Sequence, residues 1–184
     1  MGEEAELRRE IQDLKGELES LKLTLEVVGT IDLDSGILNR TGVLDALERG
    51  QRWLTRRGDI YGLLIVSFPA LDDGVRDGPD GVEFRTHVAA TMGAAVREVD
   101  SVGRVDDTTF AAVLADLKPG AIAMVAARMR DLLERLAGTT PAMGGTFRIS
   151  GVEVLSATPS GDVLDRARTL ADTDSTEPAL GQID

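Results

Sequence analysis

Four aspartates, Asp72, Asp73, Asp77 and Asp80, fall within one short stretch, and clustered carboxylates are the chemistry that holds a hard cation. Their spacing is not that of an EF-hand loop. The glycines and proline between them make 72–82 read as a solvated acidic loop. The chain has no cysteine, which removes thiol nucleophiles, disulfides and thiolate metal sites together, and its single histidine, His87, leaves a histidine-based metal centre short of ligands. Serine, histidine and aspartate are present, but none sits in the context of a nucleophile elbow. Gly29 and Gly144-Gly145 read as turn residues. No metal or cofactor is expected. What remains is charged-group chemistry: Arg97 and Asp100, three residues apart, which can pair with each other or with solvent at a helix end, and Asp106-Asp107 at a turn.

The 184 residues carry 20 Lys plus Arg against 32 Asp plus Glu, a net charge of −12. Such a surface repels nucleic acid and anionic membrane alike, so neither is expected as a partner, and an anionic ligand requires a local basic cluster. The length suits one domain plus an appendage. The opening MGEEAELRRE has no apolar core, and no run is long enough to span a bilayer, so the cytoplasm is the expected compartment.

The elements that must position these groups begin with a heptad seam. Leu7, Ile11, Leu14, Leu18, Leu21, Leu25 and Val28 recur at alternating steps of four and three. With Ile11, Leu18 and Leu25 at a, the g residues Glu3, Glu10 and Glu17 face Arg8, Lys15 and Lys22 at e of a parallel partner, every pair opposite in sign. The charges select orientation, while the apolar seam drives association. A parallel coiled-coil homodimer is expected over 1–29; the alternative is a helix folded back on its own domain.

Beyond it, 42–57 reads as a helix with Val43, Leu44, Leu47 and Trp53-Leu54 on roughly one face, weakened by Gly50. The apolar run 61–68 reads as a central strand ended by Pro69. A helix over 83–98, a hairpin of 99–105 and 108–115 turning at Asp106-Asp107, a helix from Lys118 to about Leu136, a strand over 146–155 and a helix over 162–171 complete an α+β order. The acidic stretch 172–184 reads as a disordered tail.

Two of these segments carry a resemblance. Asp32-Leu33-Asp34-Ser35-Gly36-Ile37-Leu38-Asn39-Arg40 resembles the DxLTGLxNR opening of GGDEF domains, the diguanylate cyclases that join two GTP molecules into cyclic di-GMP. Arg104-Val105-Asp106-Asp107-Thr108-Thr109-Phe110-Ala111-Ala112-Val113-Leu114 resembles their RxGGDEFxxxL signature at its edges, Arg104 and Phe110. The resemblance covers 31 to about 170. It implies a ferredoxin-like, nucleotidyl cyclase-like central sheet flanked by helices, and hence a degenerate GGDEF-like domain over 30–171.

The same resemblance implies that catalysis is lost. Where the family has Gly-Gly beside the phosphates, Asp106 and Asp107 add bulk and negative charge, and Thr108 and Thr109 replace the two acids that follow. The metal carboxylate after the first strand has no counterpart in Ser67-Phe68-Pro69-Ala70-Leu71, and Val75–Val82 lacks the guanine-reading residues. Losing these ligands together removes the charge clamp of two-metal phosphoryl transfer. A product-binding RxxD motif is retained, with Arg97-Glu98-Val99-Asp100 five residues ahead of Asp106 and Arg128 at the place of the supporting arginine. A guanidinium can take phosphate or the O6/N7 edge of guanine, and a carboxylate can accept from guanine N1 and N2. The expectation is an inactive cyclic di-GMP receptor using Arg97, Asp100 and Arg128. The alternative is a ligand-independent dimeric scaffold for an unidentified protein partner.

Overall fold

The computed structural model describes residues 8, 11–18, 20–22, 24, 29–69, 71, 79–140, 146–171 and 177–184. After a helical N-terminal segment come α1 (Arg40–Arg57), β1 (Ile60–Ser67), α2 (Pro79–Ala95), β2 (Ser101–Arg104), β3 (Thr109–Leu117), α3 (Ala121–Thr139), β4 (Arg148–Val154), α4 (Ser160–Ala171) and β5 (Ala179–Ile183). The strand order is β2-β3-β1-β4-β5. The apolar run that forms β1 lies at the centre, antiparallel to β3 and β4, and all but its end residues are buried.

Strand periodicity divides β1 between two helical layers. Leu64 and Val66 face α2 and α3, meeting Phe84, Val88, Met92 and Met129. Tyr61, Leu63 and Ile65 face α1 and α4, meeting Val43, Leu47, Val163 and Leu164. α1 starts where the Asn39 side chain accepts from the Gly42 N–H at 3.0 Å, and it stops at Gly58 in the left-handed region, φ 77. Gly50, costly to helix propensity, is required by packing, because a Cβ there would lie 2.7 Å from the Tyr61 ring.

Four expectations change. Trp53 does not share the core face of α1 with Leu47; it is 38% exposed. The acidic loop is shorter than expected, since α2 begins at Pro79 and includes Asp80, while Asp72, Asp73 and Asp77 lie outside the described residues. α2 also ends at Ala95 and β2 starts at Ser101, so Arg97 occupies the turn between them rather than the helix, and Asp100 that turn rather than the strand. Part of the expected disordered tail is a strand: 179–183 pairs in parallel with β4 from Ser150↔Ala179 to Val154↔Ile183, while 172–176 lie outside the described residues. Ladder bonds to β4, and Ile183 against the α1/α4 core, order a segment whose composition gave no apolar run. In the N-terminal segment, 11–18 and 20–22 are helical, and Ile11, Leu14, Leu18 and Leu21 are 48–63% exposed. Leu7, Leu25 and Val28 lie outside the described residues.

The Tyr61 hydroxyl is buried without a hydrogen-bond partner among the described residues, and burial pushes its pKa up to about 12. The unfolded chain loses that proton near pH 10, so stability falls as pH rises from 10 towards 12. Tyr61→Phe is expected to raise stability by about 1 kcal/mol in urea unfolding at neutral pH and to flatten that alkaline decline.

Candidate functional site

The segment ahead of α1 folds as a tight turn around one buried carboxylate. Asp32, 5% exposed, accepts from the Ser35 amide at 2.9 Å, the Ser35 hydroxyl at 2.5 Å and Arg104 Nη1 at 2.9 Å. Gly36, at φ 72, closes the turn by donating to the Asp32 carbonyl at 2.9 Å. The turn docks on the edge of the sheet, Leu38 N–H donating to Val102 O at 3.0 Å and Arg104 N–H to Leu38 O at 2.7 Å. Gly103 permits this, since a Cβ would sit 2.9 Å from the Leu38 carbonyl oxygen. A second ion pair, Arg85 to Asp34 at 2.8 Å, ties the turn to α2. Burial pushes the Asp32 carboxyl pKa up, but the Ser35 hydroxyl and amide bonds and the Arg104 guanidinium outweigh it and hold it below the ordinary aspartate value.

Arg104 also fixes the turn between β2 and β3. Its Nη2 reaches Asp107 at 2.6 Å and its Nε the Asp106 carbonyl at 3.2 Å, while the Asp106 carboxylate pairs with Arg168 of α4. A cavity of about 320 Å³ here is lined by Asp32, Asn39, Arg40, Arg104, Asp106 and Asp107. The magnesium that the resemblance implies does not fit these residues. Asp106 and Asp107 are each paired with an arginine, and Thr109 is buried in β3 opposite Ser67. Phe68 stands after β1 in an aromatic cluster, 5.0 Å from Phe84 and 6.0 Å from Phe110 between ring centroids. Among the described residues no group of three acidic or histidine side chains is placed to hold a metal ion.

A second cavity, of about 430 Å³, lies at the other end of β2. Arg97 and Arg128 both line it, with Asp116, Lys118, Met124 and Val125. Arg97 is held: Nη2 donates to the Ala115 carbonyl at 2.6 Å, and Nε and Nη2 each approach Asp100 at 3.4 Å. Asp100 differs from its expected part as a guanine acceptor. Its side chain is 2% exposed and accepts from the Arg97 amide at 2.8 Å and the Ala115 amide at 3.0 Å, so it orients Arg97 instead of facing the cavity. Arg128 rides on α3, whose first amides are capped from β4: Glu153 accepts from Gly120 at 3.0 Å and Ile122 at 3.2 Å.

No family model matches the chain, and no curated protein does. Solved structures do. The coiled coil and GGDEF domain of DgcB from Caulobacter crescentus, in complex with c-di-GMP, matches 95% of this chain and 98% of its own at 18% identity and a TM-score of 0.70. The fold is that of a GGDEF domain. Diguanylate cyclase SiaD from Pseudomonas aeruginosa, in complex with its activator SiaC, matches 95% of this chain and 70% of its own at 21% identity and TM-score 0.69. The Vibrio cholerae LapD S helix-GGDEF-EAL structure, bound to c-di-GMP, matches 92% of this chain and 40% of its own at 12% identity and TM-score 0.69.

Within the GGDEF fold the four residues of β2 separate the two cavities, with Arg97 and Asp100 before the strand and Asp106 to Thr109 after it. Sequence reasoning missed Lys118 and Met124 beside Arg97, and Arg168 opposite Asp106. The signal for Arg168 was charge balance: an acid placed in a turn beside another acid calls for a nearby base.

Asp32→Asn keeps the shape of the turn but removes the charge facing Arg104, and is expected to lower stability by about 2 kcal/mol. Because the folded pKa is depressed, the wild-type contribution is complete above about pH 4 and is lost as pH falls through the folded value. Urea unfolding of both proteins from pH 7 to pH 2.5 should therefore show the gap closing in acid.

Proposed function

We propose that this GGDEF domain is a receptor for cyclic di-GMP that does not synthesise it. One observation carries the reading: in a chain of net charge −12, Arg97, Lys118 and Arg128 outnumber the one acid, Asp116, in the lining of a single cavity whose wall also includes Met124 and Val125. Guanidiniums take phosphate or guanine edges, and the aliphatic side chains offer a surface for a base face. Two of the similar structures are described as complexes with c-di-GMP. Loss of synthesis is supported by the signature turn, where Asp106 and Asp107 stand against arginines and neutral Thr108 and Thr109 follow.

A second reading, a ligand-independent scaffold for a protein partner, is favoured by the bonds that already engage Arg97 with Asp100 and Ala115. Both readings share a parallel homodimer through the N-terminal seam. Among the described residues no helix is long and apolar enough to cross a membrane. The reading places the protein in the cytoplasm, where a nucleotide second messenger is found.

Calorimetric titration with cyclic di-GMP separates the readings. Saturable heat is expected, with Arg97→Ala and Arg128→Ala each raising Kd about tenfold or more, a change of about 1.4 kcal/mol. GTP with magnesium is expected to give none. Absence of heat, together with no thermal shift at ligand excess, where linkage predicts about 2.7 kcal/mol at a hundredfold over Kd, would leave the scaffold. For the dimer, sedimentation equilibrium should show two copies for the wild type and one for Leu14→Asp with Leu18→Asp, since a charge at a and d abolishes the seam.

A further inference from the structure

At the end of β3 the ladder with β1 is irregular. Ile60 stands opposite Leu117 and Gly62 opposite Leu114, so Ala115 and Asp116 share the place opposite Tyr61 as a β-bulge. Asp116 takes the left-handed conformation there, φ 48, and is the one non-glycine residue with positive φ among the described residues. Aspartate tolerates that region better than most side chains, but glycine fills it without steric cost. Ala115, the other bulge residue, donates its amide N–H to Asp100 at 3.0 Å, and its carbonyl accepts from Arg97 Nη2 at 2.6 Å. The same bulge therefore fixes Arg97 and brings Asp116, exposed between buried Ala115 and Leu117, into the lining of the cavity with Arg97, Lys118 and Arg128.

An acid opposes the entry of a dianionic ligand unless the ligand offers it donors. The Asp116 carboxylate is not spent within the protein: it makes no hydrogen bond or ion pair among the described residues, although three cations line the same cavity. Asp100, the other carboxylate beside Arg97, is 2% exposed and bonded to backbone amides, which leaves the cavity its acceptor in Asp116. We infer that Asp116 sets the base specificity of this cavity by accepting from N1–H and N2–H of guanine. The inference rests on the cyclic di-GMP reading and adds to it the residue that selects the base. An ionised carboxylate only accepts, through two oxygens side by side. Guanine presents two adjacent donors on that edge and hypoxanthine one, whereas adenine turns a ring-nitrogen lone pair towards it. Phosphate and N7 are common to both purine nucleotides, so cations that bind them do not make this distinction. Hypoxanthine keeps O6 and N7 and lacks only the N2 amino group, which separates the contribution of the carboxylate from that of the arginines.

Calorimetry of the full chain with cyclic di-GMP, its inosine analogue cyclic di-IMP and cyclic di-AMP tests this. The wild type is expected to bind cyclic di-GMP about tenfold or more tightly than cyclic di-IMP, and cyclic di-AMP most weakly. Asp116→Asn and Asp116→Gly both suit the left-handed backbone and so keep the bulge; circular dichroism confirms that each is folded. Asp116→Asn, which retains one acceptor, should weaken cyclic di-GMP about tenfold or more, and Asp116→Gly should also erase the preference over cyclic di-IMP. Equal or tighter binding of cyclic di-GMP by both variants, as an acid that merely repels phosphate would give, overturns the inference and leaves the receptor reading standing. So does a preference over cyclic di-IMP that is missing in the wild type or survives in Asp116→Gly. No heat from the wild type with any of the three ligands overturns the receptor reading and the inference together.

Discussion

A carboxylate taken out of water must be given a counterion and donors, or its burial costs several kcal/mol. Asp32 imposes that demand at the point where the N-terminal segment meets the domain. Ser35 satisfies part of it locally and shapes the turn; Arg104, far along the chain, satisfies the rest. Once Arg104 is committed there, the turn lies along β2, Leu38 bonds to the strand edge and Asn39 stands where it can cap α1. The remaining donors of Arg104 hold Asp107 and the Asp106 carbonyl, and the Asp106 carboxylate reaches Arg168. Ion pairs joined by the Arg104 bond to the Asp106 carbonyl therefore link the segment before α1, the β2–β3 turn and α4.

This series changes the chemistry of the turn. A phosphate cradle needs unencumbered amides and uncommitted positive charge. Here both aspartates of the turn are neutralised within the protein, and Arg104 and Arg168 are occupied in doing so. The cavity left beside them keeps Asp32, Asp106 and Asp107 on its walls. An incoming polyphosphate would have to displace a guanidinium from a carboxylate and then lie next to that carboxylate. On the strand side Thr109 and Phe68 are likewise packed inward, one buried in a ladder and the other in an aromatic cluster.

How much of this was legible in the sequence depended on periodicity. The central strand, the hairpin about Asp106-Asp107 and the order of helices are written in runs that a core must bury, and β1, β2, β3, α3, β4 and α4 lie where those runs place them. Failures fell where a tertiary partner decided the outcome. β5 is ordered by β4 rather than by its own composition, and Trp53 reads as core until α1 is seen to turn Leu47 and Gly50 toward the sheet. The Arg97 and Arg128 pairing was legible from the family spacing. The inward-facing role of Asp100 was not, because it depends on the Ala115 amide of a neighbouring strand.

The bonds that engage Arg97 bear on both readings of the second cavity, and donor counting decides how. A guanidinium has five N–H donors. Asp100 and the Ala115 carbonyl use those of Nε and Nη2, and neither contact uses Nη1. The Nη1 edge is thus left for a ligand by a side chain whose rotamer is already fixed, so less side-chain entropy remains to be lost on binding than for a free surface arginine. Arg128, on a helix whose first turn Glu153 fixes to β4, supplies a second guanidinium from another rigid element. Arg97, Lys118 and Arg128 repel one another across the cavity, and Asp116 in its lining offsets part of that repulsion. Asp100 offsets a further part through Arg97, whose guanidinium it holds in place, so the buried carboxylate is a feature that lets three cations share one cavity.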